Sequence, residues 1–243
     1  MKAIVVIPAR LASSRLPNKV LADINGHEML WHVYHRCQQA AKVSEVHIAT
    51  DAKEVAEAVQ NWGGQVWMTD AQCVSGTERI VTLLEQLDGD IIVNVQGDQP
   101  LIEPTLIDQL IEIFEKTTPL PDIVTPICPI EDHKIFDPNL VKVTRQHDGY
   151  ALYFSRHPIP YLRDVEMKNW SKFGPFFGHI GIYGYRRQVL EEYHSLPKSP
   201  LEEAEKLEQL RFMQAGKKIL TFVTNHYPIS VDTPADLEQV RAT

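Results

Sequence analysis

The order of sequence elements predicts an α/β fold with a mostly parallel sheet covered on both faces. Three observations carry this expectation. Short β-branched runs alternate with helix-spaced segments through the first hundred or so residues. The first run, residues 3–7, is continuously apolar. A glycine pair, Gly63-Gly64, closes one of the helical segments just before the next run. Continuous apolar runs of strand length are what a sheet buried on both faces requires.

Residues 3–7 read as the first such strand, followed by a polar loop rich in small residues and a helical stretch over 29–40. Residues 46–50 form a second strand ending at Asp51. Residues 54–62 have helical spacing, 65–68 give a third strand, 78–87 a helix and 91–96 a strongly apolar fourth strand. The alternation loosens after about Lys116. Strand-like pieces occur near 124–127, 141–145, 151–154 and 181–185, separated by proline-marked loops. An acidic helix over 201–215, a strand over 219–223 and a helix from Pro234 complete the chain. No repeat or low-complexity segment interrupts it. The expected organisation is a single domain over residues 1–243, with a nucleotide-binding N-terminal half and a mixed-sheet C-terminal half.

Composition sets the bounds. A chain of 243 residues with 44% hydrophobic and 23% charged side chains can bury one large core. The apolar stretches 3–9 and 90–96 are far too short to span a bilayer, and the N-terminus shows no secretory leader. A cytoplasmic protein without membrane insertion is expected. Cys37, Cys73 and Cys128 are odd in number and widely spaced, which points to reduced structural thiols. A formal charge of −8 argues against a broad nucleic-acid interface but is compatible with an anionic small substrate held by a few clustered arginines.

The loop after the first strand runs Pro8-Ala9-Arg10-Leu11-Ala12-Ser13-Ser14-Arg15-Leu16-Pro17-Asn18-Lys19. It matches neither the glycine-rich dinucleotide fingerprint nor the P-loop. Its small residues nevertheless let backbone N–H groups approach phosphate, and Arg10, Arg15 and Lys19 put three cations where open α/β sheets bind ligands. A solvated basic loop is the plainer reading, and the loop alone does not decide.

The run IPARLASSRLPNKVL resembles the signature PARxxSxRLPxKxL of the 3-deoxy-manno-octulosonate cytidylyltransferases. Further motifs of that family follow in order: Ala49-Thr50-Asp51, SGTER from Ser75 to Arg79, NVQGDQP from Asn94 to Pro100, and YALYFSR ending at Arg156. HIGIYGYR from His179, LEQLR from Leu207 and VDTPADL from Val231 complete the set. The resemblance spans almost the whole chain. It implies a Rossmann-like nucleotide-diphospho-sugar transferase fold, a homodimer and a CTP-dependent reaction with Mg²⁺ on an acid sugar used for lipopolysaccharide.

The resemblance makes Asp98 and Asp232 the magnesium carboxylates. Asp98 stands just past a buried strand, where a carboxylate can reach a cleft ligand, and Mg²⁺ is commonly held by one or two carboxylates plus phosphate oxygens. Asp232 precedes a proline-started helix. An ordinary helix start would explain an aspartate there, but Thr233 can supply the cap with Pro234 at the first helical position and Asp236 near the helix dipole. The catalytic set is then Arg10, Lys19, Asp98 and Asp232.

The nucleotide would be met by Ala9, Arg10, Ser13, Arg15, Lys19, Ser75, Gly76, Thr77 and Arg79. For the segment from Ser75 to Arg79, a helix cap with Glu78 and Arg79 as surface charges is an equal alternative. The acid-sugar pocket would draw on Gln96, Arg156, His179, Glu208 and Gln209. Arg156 and His179 would be cationic donors for the sugar carboxylate, with Glu208 and the Gln209 carbonyl accepting from its hydroxyls. An exposed acidic helix face and a structural histidine remain the plainer readings of those last residues. His32 and His35 stand one helical turn apart and read as ordinary helix residues.

Three positions depart from the family pattern. Asn18 stands for the usual glycine, which asparagine's tolerance of positive φ permits. Gln99 replaces a common glutamate beside Asp98, and Gly178 stands where many members carry arginine. The last leaves an 8-amino-octulosonate or a sialic-type acid open as acceptor beside 3-deoxy-manno-octulosonate. A non-catalytic nucleotide-binding module is the non-enzyme alternative.

Overall fold

The computed structural model describes residues 1–11, 16–130 and 132–243, the side chains of 132 and 133 excepted. Ser13 and Arg15, two of the expected nucleotide contacts, lie outside the described residues. In chain order the strands are β1 (Ala3–Ala9), β2 (Asp23–Ile24), β3 (His27–Glu28), β4 (Val43–Thr50), β5 (Val66–Met68), β6 (Ile91–Asn94), β7 (Ile123–Pro129), β8 (Lys142–Arg145), β9 (Ala151–Ser155), β10 (Phe177–His179), β11 (Tyr183–Arg186) and β12 (Ile219–Val223). The α-helices are α1 (Met29–Gln38), α2 (Lys53–Asn61), α3 (Gly76–Val81), α4 (Pro104–Lys116), α5 (Trp170–Phe173), α6 (Arg187–Glu191), α7 (Pro200–Glu205), α8 (Gln209–Gln214) and α9 (Pro234–Arg241).

The chain forms two compact units, the first made of Met1–Lys116, Ile182–Tyr193 and Pro228–Thr243. Its strands lie in the order β5-β4-β1-β6-β11. The first four are parallel and β11 runs antiparallel to β6. Residues Ala3–Ile7 of β1 are fully buried, as a continuous apolar run demands. Register matters for function: Ala9 pairs with Thr50 and Val6 with Asn94. Arg10, Asp51 and the turn after Asn94 therefore emerge at the carboxyl ends of neighbouring strands, the usual ligand edge of such sheets.

The C-terminal helix α9 is tied to this unit by a cluster of Ile24, Met29, Val231, Leu237 and Val240. The second unit comprises Thr117–Gly181 and His194–Tyr227. Here β7, β10, β8 and β9 are successively antiparallel, and β12 adds to β7 in parallel. The mixed sheet expected of the C-terminal half is present.

Two expected helices are interrupted, and in both an arginine binds carbonyls of the irregular segment. The helix expected over 78–87 stops at Val81, and a 3₁₀ turn follows at Leu84–Gln86. Arg187 donates to the carbonyls of Leu84 (2.6 Å), Gly89 (3.5 Å) and Leu87, meeting acceptors that the irregular segment leaves open. The helix expected over 201–215 breaks at Lys206, which is left-handed with φ 54°. Arg156 takes the carbonyls of Glu205 and Lys206, at 2.7 and 3.4 Å.

The longest helix, α4, is absent from the sequence expectations, as are the β2–β3 hairpin and β10. Helix α4 buries Leu106, Ile107, Leu110, Ile111 and Phe114. A Cβ at Gly184 of β11 would stand 2.3 Å from Leu110 and 2.8 Å from Phe114, so that glycine is what lets α4 lie against the strand. Leu110→Ala should lower unfolding stability by about 2–5 kcal/mol, read as a fall in the denaturant midpoint with an unchanged slope.

Candidate active site

Three side chains expected to do chemistry meet in the first unit. The Lys19 ammonium lies 2.7 Å from Asp98 Oδ2 and 3.0 Å from Asp232 Oδ1. Local structure delivers each of them. Asn18 is left-handed (φ 53°), as its place in the loop predicts, and starts the 3₁₀ turn Lys19–Leu21 whose Val20 is buried. Asp98 follows Gly97, where a Cβ would come 3.3 Å from the Pro8 carbonyl oxygen, so glycine lets the turn close on β1.

Asp232 precedes a capping box: Thr233 accepts from the Asp236 N–H, and Asp236 accepts from the N–H groups of Asp232 and Thr233. Thr233 supplies the cap as expected, and Asp236, expected only near the helix dipole, closes it into a capping box. A backbone bond from Val231 N–H to the Asp98 carbonyl, 2.9 Å, fixes the two carboxylate segments to each other. Lys19 is only 14% exposed at its side chain. Burial pulls its pKa down, but the Asp98 and Asp232 carboxylates outweigh burial and raise it overall. The ammonium therefore stays charged.

The donor set suits magnesium. Asp98 and Asp232 present oxygens on one shared cation position, and two carboxylates leave the remaining positions to phosphate and water. Among the described residues no group of three His, Cys, Asp or Glu forms a separate metal centre. His32 and His35 are ordinary helix residues, as expected: their rings pair with the Ile24 and Trp31 carbonyls.

The motif from Ser75 to Arg79 forms the helix cap, but Arg79 is placed differently from the surface charge of that reading. Ser75 caps α3 by accepting from the Glu78 N–H at 3.1 Å, and the Glu78 carboxylate accepts from the Val74 N–H at 2.7 Å. Gly76 sits where a Cβ would be 3.3 Å from Pro8, bringing the helix start against the end of β1. Thr77 is buried. Arg79, however, is not a surface charge. It is 4% exposed, pairs with Asp51 Oδ2 at 3.3 Å and donates to Thr69. The guanidinium latches the end of β4 to the segment after β5, a packing role that its neighbours in sequence do not announce.

Ala9 is buried at the end of β1, and Arg10 beyond it is exposed. Gln96 is half-buried and donates to Asn94 Oδ1 at 3.1 Å. Gln99 is buried with its Oε1 unpartnered.

The remaining expected sugar residues belong to the second unit. His179 lies on β10 with Nε2 3.0 Å from Thr125 Oγ1 and its ring edge-on to Phe154. Burial pushes its pKa down to about 3, so the imidazole is neutral and the expectation of a cationic histidine is corrected. Arg156 is held by carbonyls. Nε donates to Glu205 (2.7 Å), Nη1 to Pro138 (3.0 Å) and Nη2 to Lys206 (3.4 Å), leaving two of its five N–H groups uncommitted by these bonds. Glu205 accepts from Ser155 Oγ and the Arg156 N–H, so this member of the acidic helix face is a tie rather than a solvated charge.

Glu208 is half-buried at the start of α8. Gln209 is 4% exposed, and its Nε2 lacks a partner. The unmet atom is thus an amide donor, where the sequence reading had expected the carbonyl to act. A side chain at Gly178 would meet Leu140 at 3.0 Å, Ile130 at 3.3 Å and Cys128 at 3.5 Å. The space that an arginine would enter is filled by this chain's own apolar residues.

Neutral His179 has a thermodynamic consequence. Its folded pKa lies below the ordinary 6.5, so its contribution to stability is complete above pH 6.5 and is lost as pH falls towards about 3. His179→Gln should flatten the stability-against-pH curve in that window, measured by urea midpoints at successive pH values.

Comparisons with known proteins give the family. A family model described as cytidylyltransferase matches residues 4–219. The 3-deoxy-manno-octulosonate cytidylyltransferase of Escherichia coli is 46% identical over 99% of this chain and 95% of its own length. That of Geobacter sulfurreducens is 45% identical over 99% and 98%. A solved structure of CMP:2-keto-3-deoxy-manno-octonic acid synthetase complexed with CTP superposes with a TM-score of 0.93 at 45% identity, covering 100% of this chain and 98% of that one. A cytidylyltransferase from Leptospira borgpetersenii, at 18% identity and TM-score 0.67, shares the fold. The chain belongs to the 3-deoxy-manno-octulosonate cytidylyltransferase family.

Proposed function

We propose that this protein transfers CMP from CTP to the anomeric hydroxyl of 3-deoxy-manno-octulosonate, releasing pyrophosphate and supplying the CMP-sugar for lipopolysaccharide. The observation that supports it most is the convergence of Lys19, Asp98 and Asp232 at the carboxyl edge of a parallel sheet. The reading takes the two units as parts of one nucleotidyltransferase domain in a cytoplasmic homodimer. No helix is long and apolar enough to cross a membrane among the described residues.

In this reading the protein positions reactants and stabilises charge, and performs no covalent step of its own. Arg10, Arg15 and Lys19 neutralise the β- and γ-phosphates as pyrophosphate leaves. Magnesium held by Asp98 and Asp232 would supply Lewis-acid charge at the α-phosphate and favour ionisation of the attacking hydroxyl. Backbone and side-chain donors from Ala9, Ser13, Ser75, Gly76 and Thr77 orient the nucleotide, and Arg79 keeps that segment in place through Asp51. Gln96, Arg156, neutral His179, Glu208 and Gln209 receive the acid sugar. The unpartnered Gln209 amide supports that assignment, because a buried donor calls for an acceptor such as a sugar oxygen.

Pyrophosphate release with CTP and Mg²⁺ tests the proposal, run in parallel with 3-deoxy-manno-octulosonate and its 8-amino analogue. Rapid release with the parent sugar is expected. Release with the amino sugar alone would keep the chemistry and move the acceptor, and silence with both would overturn it. Lys19→Ala should cut turnover by a few hundred-fold, about 3–4 kcal/mol of barrier, while the chain remains folded. Undiminished turnover in that variant would remove Lys19 from the reaction.

A further inference from the structure

The Lys19 ammonium occupies the position between the two carboxylates that a metal ion would contend for. Its distances to Asp98 Oδ2 and Asp232 Oδ1 are 2.7 and 3.0 Å, and its side chain is largely withdrawn from water. The carboxylates do not depend on it for their placement. Asp98 is set by the Gly97 turn, Asp232 by the Thr233–Asp236 cap, and the Val231–Asp98 backbone bond joins them. Two anions are therefore held together by the backbone, with a tethered cation between them.

We propose that Lys19 is a resident counter-ion that keeps bare divalent cations off Asp98 and Asp232 and releases the carboxylates when the metal arrives with a nucleotide triphosphate. The inference rests on the reading of these two aspartates as the metal pair. Charge makes the exchange favourable only in company. A divalent ion alone must displace the ammonium from two short contacts and leave it beside a doubly charged neighbour. With a triphosphate present, the ammonium gains phosphate oxygens as it leaves the carboxylates, so each cation keeps an anion.

The backbone around Lys19 suits a side-chain swing. The left-handed Asn18, the 3₁₀ turn and buried Val20 hold the main chain, so only the flexible stem of Lys19 has to move. Metal and nucleotide affinities then become coupled through one side chain, and the coupling is reciprocal.

The test needs no acid sugar. Metal-free protein is titrated with Mn²⁺, and free Mn²⁺ is followed by electron paramagnetic resonance, with and without a non-hydrolysable α,β-methylene CTP analogue. In the wild type, Mn²⁺ should bind weakly alone and at least about tenfold more tightly with the analogue, since an opposite charge a few ångströms away changes ionic equilibria by about ten- to a thousandfold. Lys19→Met should bind Mn²⁺ alone at least about tenfold more tightly than the wild type, with the nucleotide-induced gain reduced. Adding Asp98→Asn to that variant should abolish the gain.

Lys19→Gln, also uncharged, serves if Lys19→Met does not fold. Mn²⁺ should likewise raise the melting temperature of the uncharged variant more than that of the wild type. If Lys19→Met binds Mn²⁺ no more tightly than the wild type, the counter-ion role is overturned, even where pyrophosphate release shows the wild type to be active. If Mn²⁺ binds neither protein with the analogue present, the metal pair itself falls and this inference falls with it.

Discussion

The constraint on which the first unit depends is the closure of the Asp98 turn against the 229–233 segment. Two carboxylates brought this near repel one another unless a cation lies between them, and here the cation is Lys19. The segments are first joined without charge, by the Val231 N–H on the Asp98 carbonyl and by the burial of Val231 beneath α9. Apolar packing and a backbone hydrogen bond do the assembly, and the ion pair makes the assembled state tolerable. That division lets the carboxylates exchange one cation for another without unfolding the framework that presents them.

The same economy recurs where the chain departs from regular structure. Each departure leaves backbone carbonyls without helical partners, and a long cationic side chain takes them up. Arg187 does this for 84–89 in the first unit, and Arg156 for 138 and 205–206 in the second. Lys142 is the extreme case, fully buried with its ammonium on the carbonyls of Asp137, Leu140 and Arg156. Burial lowers its pKa, yet three carbonyl acceptors match the three N–H donors of an ammonium. Arginines and lysines in such places are parts of the loop architecture, and their charge is secondary to their reach.

Legibility in the sequence follows from whether a signal is local. The strand β1 is readable because burial on both faces leaves a continuous apolar run. The α9 cap is readable because Thr233, Pro234 and Asp236 act on one another. Asn18 is readable for the same reason. Two further features have local signals of their own. Asn25-Gly26, both at positive φ, is a hairpin dipeptide, and α4 shows Pro104 at its start with apolar residues at 106, 107, 110, 111 and 114. The breaks at Val81 and Lys206 are not legible locally, since the side chains that bind the carbonyls of those segments, Arg187 and Arg156, come from distant sequence. The Asp51–Arg79 latch is long-range in the same sense, so a motif that names Arg79 cannot say that its side chain is turned into the protein.

The second unit shows why residue type alone misjudges charge. A histidine beside an arginine looks like a cationic pair for an acid sugar. In the structure, His179 is enclosed by Phe154 and Thr125, where ionisation would cost more than any hydrogen bond there returns. The donors there include the uncommitted Arg156 N–H groups, a neutral imidazole and the Gln209 amide. A neutral donor such as Gln209 gains little from solvent once buried, so its affinity for an acceptor depends on direction more than on net charge. In the proposed function, donors of this kind would favour the placement of individual oxygens over bulk anionic charge, as a polyhydroxy acid requires.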